Sequence, residues 1–283
     1  MKKLSILFAL LFVLSSCSDD DDDFKDYSEE NELEIIDYIA QNELEATRTS
    51  SGLYYVIDVE GEGEQPTATS DVSIKYKGTL IDGTVFNDTE GEIVSFNLET
   101  TILGFTEGMQ YFKEGGSGIL LIPAHLAYGS TGTAYVPGGS VLIFEIELID
   151  YEKENDQEIV AYLEENGITG AIKTESGLYY LIDVEGTGET PTIDSEVTVA
   201  YIGAFTDGDV FDESSVSGST FYLDEVIEGW GEGIQYFKEG GSGKLFVPSH
   251  LGYGIYDYST IPGGSVLVFD IDLKSINVSE ISK

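Results

Sequence analysis

Basic side chains are scarce in this sequence. Only 13 Lys and Arg stand against 53 Asp and Glu, a formal net charge of −40. Nucleic-acid binding needs a basic surface to meet phosphates, so that class is excluded. The acidic excess favours solubility and mutual repulsion instead. Cysteine is scarcer still: Cys17 stands alone, so no disulfide can form within the chain. Histidine occurs twice, at His125 and His250, which leaves little for chemistry built on imidazole. Tryptophan occurs once, as Trp230 in "VIEGWGEGIQYFKEGG", set between Gly229 and Gly231. The longest apolar run, "LSILFALLFVL", is too short to span a bilayer as a stable helix.

That run follows "MKK" and leads to "LSSC", the layout of an export signal over residues 1–16. The stretch resembles the lipobox of bacterial lipoproteins, which implies acylation of Cys17 and no free thiol in the mature protein. An ordinary signal peptide with an incidental cysteine is the alternative. "SDDDDD" follows Cys17, and such a run of like charge stays extended. It is either a solvated spacer or, as its resemblance to an acidic sorting stretch implies, a signal for surface display. The expected location is the outer membrane, as a lipoprotein on its cell-surface or periplasmic face.

The rest of the chain repeats itself. "SGLYYVIDVEGEGEQPT" from Ser51 returns as "SGLYYLIDVEGTGETPT" from Ser176, and the register holds without a gap through Leu148 and Leu273. Repeats of this length are domains, not solenoid units of about 20–50 residues. The expected boundaries are an acidic tether over 17–31, helix and linker over 32–49, and a first domain over 50–150. A linker helix over 151–173, a second domain over 174–276 and a tail over 277–283 complete the chain. Ile35, Ile36 and Ile39, and again Ile159, Val160 and Leu163, recur at helical spacing. These two helices either pack on the domain that follows or join the domains.

Within each copy the pattern is mostly strand. Val72, Ile74 and Tyr76 alternate with polar neighbours, and Leu142, Phe144, Ile146 and Leu148 alternate with Glu145 and Glu147. One segment per copy breaks that period: Ile102, Phe105, Met109 and Phe112, then Ile227, Trp230, Ile234 and Phe237, recur at helical spacing. The expected class is α+β: two domains, each a curled antiparallel sheet, a half-barrel, wrapped around one short helix that covers its apolar face.

Five motifs in order then carry a resemblance: "VTVAYIG", "DGDVFD", "VIEGW", "PSHLGYG" and "IPGGSVLVFDIDL" in the second copy, with counterparts in the first. Each copy resembles an FKBP-type peptidyl-prolyl isomerase domain. The resemblance implies a shallow apolar pocket for proline between sheet and helix. Carried over, the catalytic set is Tyr201, Phe211, Asp212, Ile227, Trp230, Tyr253 and Phe269, with Val226, Ile261 and Phe221 contacting substrate. Trp230 would be the floor, and the Ile227 N–H and the Tyr253 hydroxyl would hold substrate carbonyls. Ser219 falls on an aromatic wall position, which would open one side. In the first copy Tyr76, Phe86, Ile102, Tyr128, Val136 and Phe144 match, while Asn87 replaces the aspartate and Phe105 the tryptophan. Thr101 and Val94 replace a valine and an aromatic there.

Such a site needs no cofactor and no metal. Other chemistries lack their residues: Lys238, just before "EGGSGKL", stands where a phosphate loop needs glycine, Leu245 follows its Lys244, and the carboxylates show no calcium-loop spacing. His125 and His250 fall at a variable motif position, which gives them a structural or surface role. The expected function is isomerisation of X–Pro bonds in exported proteins, with the second domain the more active. The expected partners are proline-containing segments and, as inhibitors, macrolides; the membrane is met through the lipid only. A proline-binding chaperone or a surface-assembly scaffold with little turnover is the alternative.

Overall fold

The computed structural model describes residues 25–277. Cys17, Asp19–Asp23 and most of the expected tail lie outside the described residues. The chain divides into two compact units between Asp150 and Tyr151.

The first unit runs α1 (Ser28–Gln41), β1 (Thr47–Arg48), β2 (Tyr54–Val59), β3 (Asp71–Leu80), β4 (Val85–Asp88), β5 (Val94–Asn97), α2 (Leu103–Met109), β6 (Ser117–Ile122) and β7 (Leu142–Leu148). The second unit repeats it as α3 (Tyr151–Glu165), β8 (Ile172–Lys173), β9 (Tyr179–Val184), β10 (Glu196–Ala204), β11 (Val210–Glu213), β12 (Ser219–Tyr222), α4 (Glu228–Gly233), β13 (Ser242–Val247) and β14 (Leu267–Asn277). Each unit holds one antiparallel sheet. Its order is β1-β2-β6-β7-β3-β4, with β5 also on β3, and in the second unit β8-β9-β13-β14-β10-β11, with β12 also on β10. The fold is α+β, with the short helix against one face of each sheet.

Alternation along the central strands builds two apolar layers rather than one. On β14, Phe269, Ile271 and Leu273 enter the cluster with Trp230 and Ile234, while Val268 points to the other face and meets Ile159 of α3. On β7, Phe144, Ile146 and Leu148 join Phe105 and Met109, while Ile143 meets Ile35 of α1. The helix before each repeat therefore packs on the back of its own sheet. Two expected boundaries shift as a result. Helix α1 starts at Ser28 rather than at 32, and α3 belongs to the second unit rather than to a linker.

The segment of helical spacing is only partly helical. Ile102 and Ile227 are extended residues just before α2 and α4, and Ile234–Tyr236 tightens into a 3-10 turn. Three glycines in the six residues of α4 explain its brevity, since each costs about 1 kcal/mol of helix propensity. What fixes the helix is packing. A Cβ on Gly229 would lie 2.5 Å from Val247 Cγ1 on β13, so glycine there brings α4 onto the sheet. Trp230 can then lie flat in the core beside it.

Candidate active site

Trp230 is 5% exposed and is boxed by three aromatic rings. Tyr201 of β10 meets it edge-on at 4.9 Å between centroids, and Phe269 of β14 edge-on at 5.0 Å. Phe221 of β12 lies 5.2 Å away, tilted. Phe211 of β11 stands edge-on to Phe269 at 5.6 Å, and Phe205 lies 5.1 Å beyond Phe211. Val226, Ile227, Tyr253 and Ile261 pack against the same cluster. Edge-to-face pairs at these spacings suit the aromatic quadrupoles and make a rigid wall.

Strand β12 brings two positions to one wall of the box. Ser219 is exposed, and Phe221, two residues along β12, supplies the ring against Trp230. Side chains two apart share a strand face, so Ser219 and Phe221 are on one side of β12, but only Phe221 lies over the tryptophan. Ser219 places no ring at its own position, and Phe221 walls the tryptophan. Phe205 and Tyr258 were not foreseen. Tyr258 stacks on Tyr253 at 4.8 Å and 16°. The apolar neighbours of Phe205 signalled only a strand end, and Tyr258 lies in a loop without periodicity.

The polar groups sit at the rim. The hydroxyl of Tyr201 donates to Asp212 Oδ2 at 2.6 Å. Burial, and then the acceptor Asp212, push the Tyr201 phenol well above its usual range. Burial also raises Tyr253, with smaller contributions from Tyr258 and Asp212. Both hydroxyls therefore stay protonated donors at neutral pH. The Ile227 carbonyl accepts from Trp230 N and Gly231 N, but its own N–H finds no acceptor among the described residues. Trp230 Nε1 is buried without a hydrogen-bond partner there as well. That costs about 1–3 kcal/mol, so it is ring contact and not a polar bond that holds the indole.

The first unit assembles the same positions more loosely. Phe105 is buried and lies 5.1 Å from Phe144, 6.1 Å from Phe96 and 6.4 Å from Tyr76. Phe86 stands edge-on to Phe144 at 5.5 Å. Ile102, Tyr128 and Val136 join the cluster. Phe96, the counterpart of Phe221, is the wall here, and Val94 stands at the other wall position. Thr101 does not line an apolar wall but turns its hydroxyl to Leu98 O at 2.9 Å and Thr106 Oγ1 at 2.8 Å. No side-chain hydrogen bond joins Asn87 to Tyr76 among the described residues. The histidines sit apart from both boxes: each Nε2 meets a backbone carbonyl, His125 with Ser51 at 2.9 Å and His250 with Ser176 at 2.8 Å. These bonds tie the loop after β6 or β13 to the start of the repeat.

The profile of the FKBP-type peptidyl-prolyl cis-trans isomerases matches residues 62–149 and 187–274, more than half of the chain. The chain belongs to this family. It is 45% identical over 107 residues to the FKBP-type peptidyl-prolyl cis-trans isomerase FkpA of Buchnera aphidicola subsp. Schizaphis graminum (strain Sg), covering 37% of this chain and 42% of that one. To FkpA of Escherichia coli (strain K12) it is 45% identical over 104 residues, covering 36% and 38%. A crystal structure of FkpA from Escherichia coli is 34% identical, with a TM-score of 0.39, covering 45% of this chain and 62% of that one. The chain thus spans less than half the length of these curated relatives. Both matched segments contain an aromatic box, and FKBP-type isomerases are a family that needs no cofactor.

Proposed function

We propose that this chain is an exported, lipid-anchored isomerase of X–Pro peptide bonds, and that its second unit carries most of the turnover. The observation that supports it is the Trp230 box: a flat apolar floor walled by Tyr201, Phe221 and Phe269, with hydrogen-bond donors at its rim.

No covalent bond has to break. Rotation about the imide bond must overcome a barrier of about 18–20 kcal/mol, which is amide resonance. The planar imide is more dipolar than the twisted one, so an apolar floor favours the twisted form. Catalysis is then tighter binding of the twisted state than of either planar isomer. A prolyl ring lies on Trp230, which is 5% exposed, so water is excluded beneath it. The free N–H of Ile227 and the hydroxyl of Tyr253 hold the flanking carbonyls, while Asp212 fixes Tyr201 at the rim. The catalytic set proposed is Tyr201, Phe211, Asp212, Ile227, Trp230, Tyr253 and Phe269, with Val226, Ile261 and Phe221 as further contacts.

In the first unit Tyr76, Phe86, Asn87, Ile102, Phe105, Tyr128, Val136 and Phe144 would bind a proline segment. Turnover there is slower, because Phe105 is a smaller floor and the tyrosine lacks its carboxylate acceptor. Client segments are proline-containing stretches of exported proteins, and macrolides that mimic a twisted prolyl amide compete for the pocket. Lipidation of Cys17 and outer-membrane location rest on "LSSC" and the apolar run before it. A protease-coupled isomerisation assay on the chain lacking residues 1–23 tests the activity. Acceleration of cis-to-trans conversion of an X–Pro peptide supports the reading, and a folded protein without acceleration refutes it.

A further inference from the structure

We propose that Asn155, on the helix preceding the second repeat, is a positioning residue for the isomerase site, acting on Tyr253 and Ile261 from the opposite face of the sheet. The inference rests on the site assignment made above. Asn155 is 1% exposed. Its Oδ1 accepts from Ser249 N at 2.7 Å, and its Nδ2 donates to Gly264 O at 2.9 Å. Both ends of one buried amide are thus spent on the two ends of the loop between β13 and β14, and each end carries a wall of the proline box.

The first end opens with the 3-10 turn Ser249–Leu251 and delivers Tyr253. The second delivers Ile261 and returns to β14. They are stitched to each other by Gly254 N to Ser249 O at 2.8 Å and Gly264 N to Gly254 O at 2.9 Å. Asn155 closes this circuit, since Ser249 and Gly264 are the two members it binds. Gly264 has φ of +78°, and a Cβ there would run into the ring of Tyr151 at the start of α3. The first turn of α3 therefore seats directly on the loop that holds Ile261.

The same device occurs in the first unit. Asn31 is 1% exposed, accepts from Ala124 N at 2.8 Å and donates to Gly139 O at 2.8 Å. Gly129 N to Ala124 O at 2.8 Å and Gly139 N to Gly129 O at 2.9 Å repeat the stitching around Tyr128 and Val136. A buried asparagine that only filled space could be any residue of its size. One that satisfies both ends of the loop with opposite ends of its amide fixes their separation, and with it the distance from the Tyr253 hydroxyl to Trp230. A misplacement of about 1 Å is enough to cost about a hundredfold in a positioned reaction.

The test is a double-mutant cycle between Asn155 and Tyr253 in the chain lacking residues 1–23. The wild type comes first: if it does not accelerate isomerisation, the site assignment fails and not this inference. With an active wild type, Tyr253→Phe measures the hydroxyl's share. Asn155→Ala is expected to lower kcat/KM by at least as much, and Tyr253→Phe is then expected to cost nothing further in the Asn155→Ala background. Asn31→Ala removes the same contacts in the other unit and is expected to leave most of the activity. Full additivity of Asn155→Ala with Tyr253→Phe, or an unchanged kcat/KM in folded Asn155→Ala, overturns the proposal. Should circular dichroism show Asn155→Ala unfolded, the same cycle with Asn155→Asp decides, because the carboxylate keeps the bond to Ser249 and loses the one to Gly264. Coupling to Tyr253 is expected there too, and additivity overturns the proposal equally.

Discussion

The hydroxyl of Tyr201 donates to Oδ2 of Asp212 at 2.6 Å, and the equivalent pair Tyr76 and Asn87 makes no such bond among the described residues. A tyrosine tied to a carboxylate is oriented by it, since a charged acceptor makes the stronger hydrogen bond. Asp212→Asn should therefore lower kcat/KM several-fold, up to about tenfold, which is 1.4 kcal/mol. Asn87→Asp in the first unit should raise the activity of a Trp230→Ala chain measurably. Steady-state kinetics on an X–Pro peptide checks both. No change in Asp212→Asn would remove the carboxylate from the mechanism.

Tyr201 and Tyr253 both have raised phenol pKa values, with burial as the first cause. Their usual value is about 10. Between that value and the folded one, the folded state holds protons that the unfolded state releases. The stability they contribute is complete below about pH 10 and is lost as pH rises past it. Tyr179, pushed up to about 12 by burial and its bond to Asp156, acts in the same direction. Urea unfolding followed by Trp230 emission should show constant stability from these groups up to about pH 9.5 and a decline above, shallower in Tyr201→Phe. Activity should not fall between pH 7 and 9 through either hydroxyl.

Gly229 is where α4 touches β13, with Val247 Cγ1 2.5 Å from the place of a Cβ. Alanine would gain up to about 1 kcal/mol of helix propensity. The overpacking costs typically 1–3 kcal/mol and has little room to relax beside the backbone of Leu251. Gly229→Ala should therefore lower the stability of the second unit, read by Trp230 emission. Gly231→Ala, whose nearest neighbour is 3.0 Å away, should cost less. Equal stability of wild type and Gly229→Ala would show that α4 can lift off the sheet freely.

Anchorage is tested separately from catalysis. Cys17→Ser should release the protein from membranes and abolish acyl labelling, with isomerase activity unchanged. Membrane fractionation as in the wild type would exclude the lipobox.

Much of this was legible in the sequence because it depends on period. The alternation of Leu142 to Leu148 and the repeat in register gave the sheet and its duplication. The box residues followed from motifs, because Tyr201, Phe211, Trp230 and Phe269 are fixed by strand register and helix position. That Phe221 and not Ser219 lies over Trp230 was not legible, since neighbouring positions on one strand face differ only by where the helix crosses. The role of α1 and α3 stayed ambiguous, because an apolar stripe says that a helix packs but not on what. Ile143 and Val268 on the back of the sheet decide it. For the same reason, comparing the units as isolated domains requires pieces that keep Ser28 or Tyr151. A cut at 50 or 174 would expose the layer under Ile35 or Ile159.

The central claim is that Trp230 is the floor of the working site and Phe105 that of a slower one. Losing even a few tens of Å² of ring contact at about 25 cal/mol per Å² is near 1 kcal/mol. The decisive measurement is kcat/KM of Trp230→Ala and of Phe105→Ala in the chain lacking residues 1–23, with circular dichroism on each. The account predicts that Trp230→Ala loses at least tenfold while folded, and that Phe105→Ala loses less than twofold. A folded Trp230→Ala protein with undiminished turnover would contradict it.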